Sequence, residues 1–174
     1  MPRCGLPATP CDMPTLILDT DFLSSFIKIG RCDLIQTLYQ VEQAVIPAAV
    51  HRELAQTNLL TQLLVIDWIK ISPEVASPGE TLFQDSTFQS LGAGEQACIL
   101  LARALSDVVL LMNDNKARQF AHSLGVTVVN IPAFLLVCKM TRLVSPEQMK
   151  QIIQDLRDRD FYTFQSEVRN LLLG

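Results

Sequence analysis

The sequence predicts an α/β fold, a parallel sheet covered by helices. Two observations predict it. Short, wholly apolar runs such as Thr15–Leu18, Ala44–Pro47 and Val108–Met112 alternate with segments of helical period. Two of these runs end at an acid, Asp19 and Asp114, where open α/β sheets place their ligands, outside the carboxyl ends of the strands. The chain has 174 residues, 49 % hydrophobic and only 18 % charged, which supplies a core for one domain and excludes a disordered tail protein. We expect a flexible leader over residues 1–13 and a single domain over 14–174, with no internal repeat or linker.

Taken in order, Thr15–Leu18 is a buried strand that ends at Asp19. Phe22, Leu23, Phe26, Ile27 and Ile29 follow at helical spacing as far as Gly30, and Leu34, Ile35 and Leu38 continue in a second short helix. Ala44–Pro47 is the next strand, with Pro47 opening a helix through Leu54. Leu63–Ile71 is ambiguous between a helix end and a strand near Ile69. Ser72–Gln89 holds Pro73, Pro78 and Gly79 and reads as a loop, either a lid or simply mobile. Leu91–Leu105 is a helix and Val108–Met112 a strand. A further helix runs from about Asn115 to Leu124 and stops at Gly125. Val126–Val129 is a strand and Pro132–Met140 a helix. Ser145 and Gln148 form a capping box for a helix with Met149, Ile152, Ile153 and Leu156 on one face. Phe164, Val168, Leu171 and Leu172 suit a last helix.

Several functions are disfavoured at this level. Fourteen basic against 18 acidic residues give a net charge of −4, unlike a cationic nucleic-acid binder. The five cysteines (4, 11, 32, 98 and 138) show no zinc-type spacing and read as reduced, mostly buried thiols, with Cys98 in the core. The first 13 residues lack the apolar stretch of a secretory signal, and no apolar run approaches the roughly 20 residues that span a bilayer. A cytoplasmic protein with no membrane contact is expected. His51 and His122 have no G-x-S-x-G serine partner, and Gly92-Ala-Gly94 is too short for a phosphate-binding loop, so it suits a packing or turn role.

Four acids remain. Asp19 and Asp114 follow strands; Glu53 and Glu95 lie on helices. Each has a plain structural alternative: Asp19 and Asp114 as helix N-caps, Glu53 as a solvated residue, Glu95 as a partner of a helix dipole. If the sheet brings all four together their carboxylates repel. The natural neutraliser is a hard divalent cation, Mg²⁺ or Mn²⁺, which prefers oxygen ligands.

In this context the sequence resembles the PIN-like domain family. Leu16–Ser24 resembles its opening strand and first acid, Val45–Leu54 its second acidic motif, Leu91–Ala97 the G-E-x-x-A form of the third, and Leu111–Arg118 with Leu124-Gly125-Val126 the fourth. The branch with the G-E-x-x-A form carries a predicted nucleic-acid-binding function. The resemblance covers roughly residues 15 to 172. It implies a three-layer α/β/α fold and a Mg²⁺- or Mn²⁺-dependent ribonuclease, in many relatives the toxin of a toxin–antitoxin pair that binds a small antitoxin. By position, Asp19, Glu95 and Asp114 would hold the metal and Glu53 would complete the acidic pocket. A homodimer is common in the family. Asp21, Asn113 and Asn130-Ile131-Pro132 depart from its usual pattern.

A carboxylate-bound cation lowers the pKa of a coordinated water for attack on a phosphodiester and offsets charge on the phosphoryl oxygens. A 5′-phosphate and a 3′-hydroxyl are the expected products. Lys116 and Arg118, near the start of a helix, would hold neighbouring phosphates, unless they only solvate that helix; Arg52 either assists or is structural. Two other readings stand beside this one. Asp19-Thr-Asp21 resembles the D-x-D pair of haloacid dehalogenase-type phosphatases, although Leu23 departs from that motif and Glu53 and Glu95 would have no role. A non-catalytic scaffold that binds RNA or a partner fits the Asn113 and Asn130 departures. If the acids share one pocket, the remaining surface is close to neutral, and RNA binding without metal should be weak.

Overall fold

The computed structural model describes residues 14–73 and 80–174. Five strands, β1 (Thr15–Leu18), β2 (Ala44–Pro47), β3 (Ile69–Ser72), β4 (Val108–Leu111) and β5 (Thr127–Val129), form one sheet in the order β3-β2-β1-β4-β5. All neighbouring pairs are parallel. The helices are α1 (Thr20–Lys28), α2 (Asp33–Tyr39), α3 (Ala48–Ala55), α4 (Leu60–Leu64), α5 (Glu80–Phe83), α6 (Ser86–Gln89), α7 (Ala93–Ala104), α8 (Asn115–Ser123), α9 (Ile131–Met140), α10 (Pro146–Asp160) and α11 (Ser166–Leu173). The expected three-layer α/β/α architecture is what forms.

The central strands are apolar because both of their faces are covered. Leu16, Ile17 and Leu18 of β1 and Leu110 and Leu111 of β4 are buried. Phe22 and Phe26 of α1 and Phe134 of α9 make a cluster of three rings, with centroids 5.0 to 5.7 Å apart. Phe88 of α6 and Phe120 of α8 make a second contact at 5.7 Å. Helix α7 packs on β2, β1 and β4 and against α3 and α8, while α1 packs on α3 and α10. The chain leaves β1 toward β2 on one side and later returns to place β4 on the other. The carboxyl ends of β1 and β4 therefore flank the point where the strand order reverses, the preferred ligand crevice of such sheets.

Several sequence expectations need correction. The Ser72–Gln89 segment is not all loop: its described part contains α5 and α6. The Asp85 side chain accepts hydrogen bonds from the Thr87 and Phe88 amides at 2.7 and 3.2 Å, which caps α6 and turns Phe88 into the core. One buried side chain in one turn is too short a pattern to show a period. Leu63–Ile71, by contrast, holds a helix end and then a strand at Ile69 as expected, the end of α4 followed by β3. The last helix begins after Phe164, whose ring packs edge-on against Tyr162, and Leu171 is 55 % exposed while Leu172 is buried. Cys32, Cys98 and Cys138 are buried and unpaired, and burial raises all three thiols above their ordinary pKa. The leader over residues 1–13, with Cys4 and Cys11, and residues 74–79 of the expected loop lie outside the described residues.

The three-ring cluster ties α1 to α9. Phe134→Ala is expected to destabilise the fold by about 3–5 kcal/mol. Urea denaturation followed by circular dichroism checks this, with a lower midpoint and an unchanged slope as the expected outcome.

Candidate active site

Parallel pairing sets the site. Leu18 lies opposite Leu111, and the Asp19 amide donates to the Leu111 carbonyl at 2.9 Å, so β1 delivers its acid at the level where β4 ends. Asp19 inherits the burial of the strand it terminates and is 1 % exposed. Its side chain makes no capping hydrogen bond to α1. The N-cap alternative therefore does not account for it. Burial, then Asp21 and Glu95, raise its carboxyl from 3.8 to about 7; the Thr20 and Asp21 amides temper the rise without reaching hydrogen-bond geometry. The Cys98 thiol lies 3.8 Å from Asp19 Oδ1.

Glu53, on α3, is half-buried rather than solvated. Its Oε1 accepts the Gly94 amide at 2.8 Å and its Oε2 accepts the Thr20 hydroxyl. Gly94 is required for this approach, because a Cβ there would stand 2.5 Å from Glu53 Oε2 and 2.9 Å from Thr20 Oγ1. The Gly92-Ala-Gly94 turn is thus a packing element, as expected, and its Gly94 amide also holds the Glu53 carboxylate. Glu95 Oε2 accepts the Gly92 amide at 2.9 Å, the dipole-complementing role anticipated for it. Burial raises its carboxyl, and Asp114, Asp21 and Glu53 add to the rise. Asp114 Oδ1 caps α8 through the Ala117 amide at 2.8 Å, so its structural and functional readings coexist. Asp21 is exposed, yet partial desolvation of its carboxyl and the nearby Asp160, Asp114 and Glu53 raise it as well.

The structure brings Glu95 and Asp21 within electrostatic reach of Asp19, and both of them in turn within reach of Glu53 and Asp114. They do not converge: among the described residues no three His, Cys, Asp or Glu side chains stand close enough to hold one ion. Glu53 and Glu95 are held on backbone amides, those of Gly94 and Gly92. The donor set nevertheless fits a hard divalent cation. Every donor is an oxygen, and Asp19 is a buried carboxyl whose main perturbing groups include two acids and no cation.

The two cations placed here by sequence differ. Lys116 is exposed and donates to the Ser90 hydroxyl. Arg118 is half-buried, donates to Asn115 at 3.0 Å, and its Nε is buried without a partner among the described residues. Asn130 caps α9 through the Ala133 amide at 3.0 Å, which explains its departure from the family pattern as a structural one. Sequence reading missed Thr20 and Gly94, which hold Glu53. It also missed Asp160, which accepts from Lys28 at 2.6 Å and from the Ser25 hydroxyl, and Tyr162, whose hydroxyl reaches Asn113 Oδ1 at 3.5 Å. The only available signal was Gly94, directly before Glu95.

Comparison with known proteins accounts for this arrangement. The family model DUF3368, described as a PIN domain, matches residues 15–173, and the chain belongs to the PIN domain family. Its fold is thus of the nuclease type, with nucleic acid as the implied substrate class. Among solved structures the chain is similar to the PIN domain endonuclease Utp24, at 11 % identity and a TM-score of 0.49, covering 67 % of this chain and 84 % of that one. Comparison with the curated proteins gives no match. Among the described residues no helix is long and apolar enough to cross a membrane.

The burial of Asp19 has a measurable consequence. Below pH 3.8 its carboxyl is protonated whether the chain is folded or unfolded. Between that value and about 7 the unfolded chain ionises while the folded one retains the proton, so stability falls as pH rises. In a chelator, wild-type protein is expected to lose at most about 4 kcal/mol across this window. Asp19→Asn should abolish that part of the slope. Urea midpoints measured from pH 4 to pH 8 test both expectations.

Proposed function

We propose that residues 14–174 act as one domain, a Mg²⁺- or Mn²⁺-dependent endoribonuclease, and that it is the toxin of a toxin–antitoxin pair. The observation that carries the nuclease reading is the buried Asp19 at the reversal of strand order, with Asp21 and Glu95 in its field and Glu53 and Asp114 in theirs. When bound, the cation supplies a water of lowered pKa and offsets charge on the phosphoryl oxygens. Asp19, Glu95 and Asp114 are the residues that would hold it. Glu53, bonded to Thr20 and Gly94, completes the negative wall and positions α7 against α1. Lys116 and Arg118, on the helix that Asp114 caps, are the proposed phosphate contacts nearest the acids.

The toxin role rests on the resemblance of the four acidic motifs. An antitoxin or a second copy of the chain has an apolar surface available: Val137, Met140 and Leu171, all exposed, lie on the packed helices α9 and α11. Reduced, buried thiols support a cytoplasmic location. The phosphatase alternative leaves unexplained why Glu95 shares the field of Asp19 and Glu53 that of Glu95.

Purified protein is expected to cleave single-stranded RNA with Mn²⁺ or Mg²⁺, leaving 5′-phosphates. Asp19→Asn and Asp114→Asn should each reduce the rate at least about a hundredfold, read on denaturing gels. Robust cleavage by both variants would overturn the assignment. Gly94→Ala displaces the end of a flexible side chain rather than backbone, so it should fold, yet lose about tenfold to a hundredfold in rate by moving Glu53. The separation of the carboxylates favours one other reading, a scaffold that binds RNA without cleaving it. RNA binding with neither cleavage nor calorimetric Mn²⁺ uptake by the wild type would select it.

A further inference from the structure

A second, oppositely charged feature adjoins the acidic pocket. Between α10 and α11 lies a cavity of about 470 Å³, within the range of small-ligand pockets. Lys150, Arg157 and Arg169 contribute its cations and Tyr162 and Phe164 its rings; none of its lining residues is a carboxylate. The two rings meet edge to face at 4.9 Å. Arg157 pairs with exposed Asp158, a contact that solvent screens. Among the described residues Arg169 and Lys150 form no ion pair with a carboxylate.

Tyr162 connects the two features. Its hydroxyl reaches Asn113, the neighbour of Asp114; burial raises the phenol's pKa, and Asn113 and the Arg118 guanidinium only partly offset that rise. Just before it, Asp160 is held to α1 through Ser25 and Lys28. Between these two anchored residues Phe161 is 87 % exposed and adopts left-handed backbone, φ 55°. A bulky side chain is disfavoured there, whereas glycine would end α10 without strain. The ring is therefore displayed to solvent at a conformational cost, beside a cationic cavity and within one residue of the link to the acids.

We propose that the cavity between α10 and α11, together with Phe161, is a platform for single-stranded RNA flanking the cleaved bond. Bases stack on Phe161, Tyr162 and Phe164, and phosphates lie against Arg157 and Arg169. The inference rests on the nuclease reading for its substrate and deepens it. It also gives an anionic substrate local cations on a chain of net charge −4: the cavity lining holds Lys150, Arg157 and Arg169 and no carboxylate, although Asp155 and Asp158 lie on the same helix as Arg157.

The test uses the full chain and a fluorescein-labelled single-stranded RNA of about 12 nucleotides. Anisotropy is read in chelator at low ionic strength, so that nothing is cleaved, and repeated over a salt series. Wild-type binding should be weak and salt-dependent. The double charge reversal Arg157→Glu with Arg169→Glu should weaken it at least about tenfold and lower the log–log salt slope by about 1.4, the value for two lost phosphate contacts on a single strand. Phe161→Gly should weaken binding about threefold to tenfold without lowering thermal stability, which separates stacking from folding. Unchanged affinity and slope in the double variant overturn the platform, and so does equal affinity of the wild type for a polyglutamate peptide. Cleavage is scored separately. A wild type that cleaves while the double variant keeps its RNA affinity removes the platform and leaves the nuclease standing. A wild type that binds through these residues but never cleaves removes the nuclease and leaves the platform.

Discussion

The structure is organised around a carboxylate in a place where charge is expensive. Asp19 follows three buried leucine and isoleucine residues on the central strand, and its amide is paired to β4. That pairing fixes the main chain at Asp19, whose side chain is buried at the end of the strand. The groups that most perturb it are other carboxylates and two backbone amides, none of them a cation. A buried carboxyl in this condition has its pKa raised, here to about 7, or recruits a counter-charge from outside. The surrounding residues make sense as supports for the second outcome.

Those supports are mostly backbone. Glu53 is pinned by the Gly94 amide and Glu95 by the Gly92 amide, so the first turn of α7 orients two acids at once. Asp114 is fixed by the helix it caps. Such bonds cost little to maintain, since the amides of a first helical turn have no intrahelical partner. They also keep the carboxylates apart in the absence of an ion. The acidic cluster is negative and open, and the cations lie elsewhere. The C-terminal helices carry such cations, and the Tyr162–Asn113 contact joins that surface to the acids.

Much of the scaffold was legible because it is local. Four-residue apolar strands flanked by helical periods at Phe22–Ile27 and Met149–Leu156 need no tertiary information to be read. The Ser145 capping box and the Gly125 helix stop are equally local, and both occur as expected. Helix α6 was not legible, because its single turn depends on the Asp85 cap and on a pocket for Phe88 supplied by Phe120. Leu171 misled for a related reason. Its apolar character says nothing about which side of α11 meets α9, and the structure turns Leu172 inward instead.

The sequence by itself determined the class of fold, the identities of the four acids and their attachment to strand ends and helix starts. These follow from hydrophobic period and cap chemistry, which act over a few residues. Tertiary structure alone decided that Asp19 is buried with its pKa raised, that Glu53 is an aimed group and not a solvated one, and that Tyr162 stands between two oppositely charged surfaces. Each of these depends on which distant segments share a neighbourhood: desolvation and Coulomb energy are set by distance in space, and strand order and crossover, not position along the chain, set that distance.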